Sequence, residues 1–323
     1  MTKAKRLLIT DRLSQAAFLL LQEQDFFQIE KTPAPEITVE QIKGVNVLLI
    51  RSRTPIDEKL LSDARQLQLI VTATSGFDHI DLKACEKWGI TVMNTPSANV
   101  NTAAQLTWSL VLACAHHLVK AHAQVKAGFW NRDLLIGQEL EGKVYGVVGL
   151  GRIGSRVAEI AEAFGMQVIA YDPYADDERF RSRQAERVSY EELLKRADVI
   201  SFHVPLTKET SGMLSSSQLE YIQRGVILVN TSRGAVIVEQ DLCQALEKGW
   251  VGSCGLDVFE KEPLSRSSSL LRLQNVLFTP HVGANSLEAF HKASEQAASK
   301  IISFFRDGTT SDTLPPKAAW YGL

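Results

Sequence analysis

The sequence predicts an α/β protein made of two doubly wound parallel-sheet domains. Three observations predict it. The first hundred residues alternate short apolar runs with helical patterns. A second alternating series runs from about residue 144 to 279, and a long apolar helical pattern joins the two. Strand–helix alternation is what a parallel sheet with helices on both faces requires.

In the first series, Leu7–Thr10, Val45–Ile50, Leu69–Thr72 and Thr91–Asn94 read as strands. Leu13–Gln22, Asp57–Ala64 and Leu82–Trp88 read as the helices between them. Pro96 then opens a single helical pattern from about Ala98 to Lys126. Its run of Ala and Leu predicts burial between domains or subunits. His116, His117 and His122 lie on it, but no Cys or carboxylate accompanies them at ligand spacing, so no metal site is expected.

The second series has strands at Val144–Val148, Gln167–Tyr171, Val199–His203, Val226–Asn230, Gly252–Val258 and Val276–Thr279. Helices fall at Ile153–Ala163, Tyr190–Arg196, Ser217–Tyr221 and Glu239–Lys248. Six strands with crossovers is the count of a dinucleotide domain. A last helix, about Ser286–Phe305, has apolar residues at helical spacing.

The chain has 323 residues, a net charge of −2 and 22% charged residues. That balance lacks the basic excess of a nucleic-acid binder. No stretch approaches the roughly 18 apolar residues of a membrane span. The N-terminal apolar run is too short for a secretory signal. Cys85, Cys114, Cys243 and Cys254 form no CxxC and no zinc spacing, so reduced thiols and a cytoplasmic location are expected.

Gly149, Gly151 and Gly154 form GxGxxG after a strand and before an amphipathic helix, the context this motif needs. Gly149 permits the tight turn, Gly151 lets backbone approach a pyrophosphate, and Gly154 lets helix pack on strand. The helix N-terminus supplies N–H groups and a favourable dipole for phosphate. Asp172 ends the next strand about 20 residues on, where an acid meets the adenosine ribose hydroxyls. A carboxylate there repels a 2′-phosphate, so NAD is expected rather than NADP.

Three later strands end in polar residues: Asn230-Thr-Ser-Arg233-Gly, Asp257-Val-Phe-Glu-Lys-Glu262-Pro and Thr279-Pro-His281. Ligands gather outside the carboxyl ends of parallel strands, so an arginine, a glutamate and a histidine can converge there. Taken singly, each also reads as a surface cation, a solvated acid or a core histidine.

Together with Ser75-Gly-Phe-Asp-His-Ile-Asp-Leu, Gly89-Ile-Thr-Val-Met-Asn-Thr-Pro and His203-Val-Pro-Leu-Thr, these segments resemble the D-isomer-specific 2-hydroxyacid dehydrogenases over nearly the whole chain. The resemblance implies a Rossmann-type nucleotide domain, residues 98–283, inserted in a flavodoxin-like substrate domain, residues 1–97 with 284–323. It implies a cleft that closes on ligand, and a homodimer formed through the nucleotide domain.

It further implies that His281 is the general acid–base at the substrate C2 oxygen. Glu262 holds the other imidazole nitrogen, favouring imidazolium, and Arg233 clamps the substrate carboxylate with its planar fork. Asp257 faces the nicotinamide carboxamide. Arg152, Ile153, His203, Val204, Thr231 and Ser232 line the dinucleotide. The Ser75–Gly76 turn offers backbone N–H groups to the substrate carboxylate, and Arg51 is available for a substrate phosphate, although surface solvation of Arg51 and Arg53 is the plainer alternative.

The implied substrate is a small anionic 2-hydroxy or 2-keto acid, with 3-phosphoglycerate first and glyoxylate or hydroxypyruvate second. A dinucleotide-sensing scaffold of the corepressor kind is the alternative from another class. For a phosphoglycerate dehydrogenase the chain lacks room for a C-terminal regulatory domain, so no serine feedback through one is expected. Two positions depart from the family pattern: Gln105 stands where Glu is usual, and Val238 where a helix-capping Asp is usual. Local stability or domain packing is expected to feel both.

Overall fold

The computed structural model describes residues 4–32, 34–318 and 321. The chain divides into two compact units, Met1–Asn99 with Ala284–Tyr321, and Val100–Gly283.

The first unit opens with β1 (Lys5–Ile9), α1 (Gln15–Gln22), β2 (Phe27–Lys31), α2 (Val39–Ile42), β3 (Val47–Ile50), α3 (Glu58–Ser62), β4 (Leu69–Thr72), α4 (Leu82–Lys87) and β5 (Thr91–Met93). The second unit runs α5 (Val100–Ala115), α6 (Leu118–Lys126), β6 (Val144–Val148), α7 (Arg152–Ala163), β7 (Gln167–Tyr171), α8 (Asp177–Ser182), β8 (Glu186–Arg187), α9 (Tyr190–Arg196), β9 (Val199–Phe202), α10 (Ser216–Leu219), β10 (Val226–Asn230), α11 (Glu239–Glu247), β11 (Val251–Leu256) and β12 (Val276–Phe278). The first unit is completed by α12 (Leu287–Asp307) and β13 (Thr313–Leu314).

The first sheet has the order β13-β5-β4-β3-β1-β2. It is parallel except where β13 pairs antiparallel with β5. Its alternating residues divide between two cores. Leu8, Leu48, Ile50, Ile70 and Val92 pack with α3 and α4. Leu7, Ile9, Val47, Leu49, Leu69 and Val71 pack with Ala17 and Leu21 of α1 and with Ala293, Ala297, Ala298 and Ile301 of α12. Burial on both faces is why β3 and β4 read as unbroken apolar runs.

The second sheet is all parallel, in the order β12-β11-β10-β9-β6-β7-β8. It too is covered on both faces. Tyr145, Val147, Val168, Ala170 and Val229 pack with α5 and α7, while Phe202, Leu228, Cys254 and Leu256 pack with α9, α10 and α11.

One expected element is corrected. The helical pattern over 98–126 is two helices, because His117 adopts a left-handed conformation with φ 52°. α5 buries Ala103, Ala104, Thr107, Trp108, Leu110, Val111, Cys114 and Ala115. α6 buries nothing. The burial of α5 is against the sheet and α7 of its own unit. Among the described residues, no helix is long and apolar enough to cross a membrane.

Candidate active site

The glycine loop follows β6. Gly149 has φ +92°, and a Cβ there would lie 2.8 Å from the His203 carbonyl oxygen. A Cβ on Gly154 would lie 1.9 Å from the Gly149 carbonyl oxygen. Both glycines are therefore demanded by the protein itself. Gly151 is different. Its φ is −71°, and a Cβ there meets nothing within 4 Å. No packing contact demands glycine at 151, where it serves as the N-cap of α7 and leaves the backbone open to an approaching ligand. This open cradle, at the N-terminus of the 12-residue helix α7, fits a dinucleotide phosphate.

Asp172 at the end of β7 secures the loop. Its carboxylate accepts from the backbone N–H groups of Leu150 (2.8 Å), Tyr174 (2.9 Å) and Ala175 (3.1 Å). A carboxylate offers about four acceptor positions, so one remains for a ribose hydroxyl. Arg152 is exposed and Ile153 half-buried at the start of α7.

His203 and Val204 border Gly149 through a carbonyl oxygen and a methyl group. The His203 ring is turned elsewhere: its Nε2 pairs with Ser201 Oγ at 2.8 Å. Burial pushes its pKa down to about 3. The ring is held neutral by burial.

β10, β11 and β12 are neighbours in the sheet, and the chain beyond their carboxyl ends carries Arg233, Glu262 and His281. His281 Nδ1 pairs with Glu262 Oε2 at 2.6 Å. Glu262 is itself oriented, because its Oε1 accepts the Phe259 N–H at 3.1 Å. His281 takes φ 53°, and its N–H donates to the carbonyl oxygens of Asp257 (2.8 Å) and Thr279 (3.1 Å). With Nδ1 engaged, Nε2 is the nitrogen left to exchange a proton with a ligand. The His281 side chain is half-exposed and so accessible to a ligand.

Asp257 is fully buried. Its oxygens accept from Thr279 Oγ1 (2.6 Å), Val282 N–H (2.8 Å) and Gly283 N–H (2.9 Å). These bonds clamp the turn that carries His281. The Ser232 hydroxyl and N–H are both spent on Asn230 Oδ1, and Thr231 Oγ1 pairs with Thr107 Oγ1 of α5 at 2.8 Å. Arg233 is half-buried, with Nη1 donating to the Ser232 carbonyl at 2.7 Å.

Four positions missed in the sequence shape this site. A Cβ on Gly234 would lie 1.8 Å from the Phe259 carbonyl carbon, so Gly234 lets the arginine loop press against the loop carrying Glu262. Thr107 ties α5 to the same arginine loop. Glu260 accepts the Glu239 N–H at 2.8 Å, and Glu239 Oε1 accepts the Glu260 N–H at 2.7 Å. This reciprocal pair caps α11 from outside, so the poor cap Val238 costs the helix less than its sequence implies. Gln105 is exposed on α5 and packs into no core.

In the first unit, Asn94 Nδ2 donates to the Ser75 carbonyl (2.8 Å) and Thr74 Oγ1 to the Gly76 carbonyl (2.7 Å). Both bonds fix carbonyl groups of the turn. Arg53 is held by Asp11 in a fork, at 3.0 and 2.6 Å. Arg51 is not so held. It lies over the Phe290 ring at 5.3 Å, its Nη1 is buried with no hydrogen-bond partner among the described residues, and burial lowers its pKa.

Residues 108–283 match the family model described as D-isomer specific 2-hydroxyacid dehydrogenase, NAD binding domain. The chain belongs to the D-isomer specific 2-hydroxyacid dehydrogenase family. Two curated relatives are similar over 93% of the chain: a D-3-phosphoglycerate dehydrogenase of Methanocaldococcus jannaschii, 40% identical, and a glyoxylate reductase of Korarchaeum cryptofilum, 35% identical. The chain spans 57% of the length of the first and 93% of the second. Among solved structures, a D-lactate dehydrogenase of Aquifex aeolicus complexed with NAD and lactic acid is 30% identical, with a TM-score of 0.84 over 94% of this chain and 96% of that one. The glycine loop, Asp172 and the Arg233, Glu262 and His281 segments all fall within the family's NAD-binding domain.

Proposed function

We propose that this protein is an NAD-dependent dehydrogenase acting at C2 of a small D-2-hydroxy acid or its 2-keto form, with 3-phosphoglycerate as the first substrate. The observation that carries this is the oriented His281–Glu262 pair, in the same unit as an open glycine loop that fits a dinucleotide phosphate. NAD, when bound, supplies the hydride acceptor or donor.

The chain's residues do the rest. His281 Nε2 takes the proton from the C2 hydroxyl in oxidation and returns it to the C2 oxygen in reduction. Glu262 keeps the ring in one orientation. Arg233 binds the substrate carboxylate with paired N–H groups and polarises the adjacent C2 oxygen. General acid–base catalysis of this kind contributes about 10²–10⁴-fold.

The unpartnered Arg51 Nη1 favours a substrate carrying a second anionic group. A buried guanidinium donor without an acceptor is costly, and phosphate oxygens supply one. Ser75 and Gly76 are assigned to the substrate carboxylate. Glyoxylate or hydroxypyruvate reduction is the second reading, favoured by the end-to-end match with the relative named glyoxylate reductase.

The test is NADH consumption by purified protein with 3-phosphohydroxypyruvate, hydroxypyruvate, glyoxylate and pyruvate, repeated with His281→Ala. Turnover of the preferred acid falls by about 10² or more in the variant while NADH still binds. Near-intact turnover in the variant rejects the acid–base role. No turnover with any acid favours the scaffold reading.

We also propose a homodimer through α6 and the segment after it. Phe129 and Trp130 are 66% and 79% exposed, and Leu118, Val119, Val125, Leu134 and Ile136 are exposed with them. An apolar surface of this kind marks an association site. Light scattering on Trp130→Ser should report a lower mass than the wild type. An unchanged dimer mass would place the interface elsewhere.

A further inference from the structure

The sheet order places β6 between β7 and β9. The glycine loop therefore lies in the crevice flanked by the loops that follow β7 and β9, where dinucleotides enter this topology. One side-chain bond crosses that crevice. The Tyr174 hydroxyl, from the loop after β7, donates to Glu209 Oε2, from the loop after β9, at 2.5 Å. The same tyrosine's backbone N–H donates to Asp172 Oδ1 at 2.9 Å. Two carboxylates from different loops are thus fixed to one residue. Their fields overlap. The Glu209 hydrogen bond pushes the Tyr174 pKa up to about 12, with a smaller contribution from Asp172. Tyr171, at the end of β7, is raised by burial and then by both acids.

We propose that Glu209 is a second determinant of cofactor choice: held by the Tyr174 hydroxyl across the crevice from β9, its carboxylate joins that of Asp172 in rejecting the 2′-phosphate of NADP. The inference rests on the assignment of Asp172 to the adenosine ribose. Asp172 has most of its acceptor capacity occupied by Leu150, Tyr174 and Ala175. Its charge remains, but it has little hydrogen bonding left with which to reward the unmodified ribose. Discrimination then leans on repulsion, and repulsion grows with a second fixed negative charge.

The test is equilibrium binding of NADH and NADPH, without substrate, followed by nicotinamide fluorescence on the whole chain. Glu209→Gln keeps an acceptor for Tyr174 and removes the charge. NADPH affinity rises fivefold or more while NADH affinity moves less than twofold. Unchanged NADPH affinity, or equal changes for both dinucleotides, overturns the inference.

Two further measurements separate it from the assignment beneath it. Asp172→Asn, measured alongside, loses NADH preference if Asp172 meets the ribose. A loss there with none in Glu209→Gln sinks Glu209 alone, and no loss in Asp172→Asn sinks the ribose assignment. In the wild type, raising salt from about 50 to 500 mM screens the repulsion and narrows the NADH preference. Glu209→Gln narrows less, and equal narrowing in both proteins counts against the inference.

Discussion

Alanine at Gly151 and alanine at Gly154 should fail in different ways, and the contrast tests the cofactor cradle directly. At Gly154 the new methyl lies 1.9 Å from the Gly149 carbonyl oxygen. That neighbour is backbone and cannot rotate aside, so the cost lies at the upper end of overpacking, about 3 kcal/mol. For a unit of this size that lowers the melting temperature by on the order of 10 °C. At Gly151 the methyl meets nothing within 4 Å and φ is already −71°. Alanine there gains a few tenths of a kcal/mol from a stiffer unfolded chain and loses a similar amount as a poorer helix cap, so net stability moves by about 0.5 kcal/mol or less. The same methyl occupies the space assigned to the pyrophosphate, and NADH affinity should fall at least about tenfold, 1.4 kcal/mol. Calorimetric melting and fluorescence titration of both variants suffice. A Gly151→Ala protein that melts normally and binds NADH normally would show that the open space is not where the dinucleotide lies. A Gly154→Ala protein as stable as wild type would remove the packing argument.

Gly234→Ala forces a methyl within 1.8 Å of the Phe259 backbone; turnover should fall at least about tenfold through displacement of Arg233 relative to Glu262, while NADH binding, measured by fluorescence, changes little. Arg51→Met should raise KM for a phosphorylated acid about tenfold or more and leave KM for glyoxylate within twofold, since only the former loses a charge-assisted bond. His203 gives a pH signature. The unfolded chain binds its proton near pH 6.5 and the folded chain only near 3. The neutral ring therefore supports the fold above pH 6.5, and that support drains as pH falls toward 3, at up to about 1.4 kcal/mol per pH unit. Urea midpoints followed from pH 7 to 4 should fall less steeply in His203→Asn than in wild type.

The parts of the fold that were legible in the sequence are those whose residues are buried on both faces. β6, β7 and β10 have the limits read from their apolar runs. The missed strands carry no such signal. β2 exposes or half-exposes every residue of Phe27–Lys31, and β8 is two exposed residues, Glu186 and Arg187. The break at His117 was hidden because neither Gly nor Pro marks it, and histidine tolerates the left-handed region better than most residues. Within the site, strand ends and glycine spacing announce which side chains gather. They do not announce what each is already bonded to. The capture of Asp257 by Thr279, Val282 and Gly283 spans more than 20 positions, and the Thr107–Thr231 bond spans 124; contacts at such separations leave no local pattern to read.

The insertion of one unit inside the other has a consequence for synthesis. Residues Val100–Gly283 are contiguous and can close their own sheet as soon as they leave the ribosome. The segment before them cannot do the same. Leu7, Ile9, Val47 and Leu49 wait for Ala293, Ala297 and Ile301 to cover them, which at bacterial-to-eukaryotic elongation speeds is a delay of roughly 12–60 s. For that interval one side of the earliest sheet is covered by α1 alone. Loss of α12 would accordingly be felt first at the opposite end of the polypeptide, in a partly wetted β1–β3 layer, while the dinucleotide unit retained its melting transition.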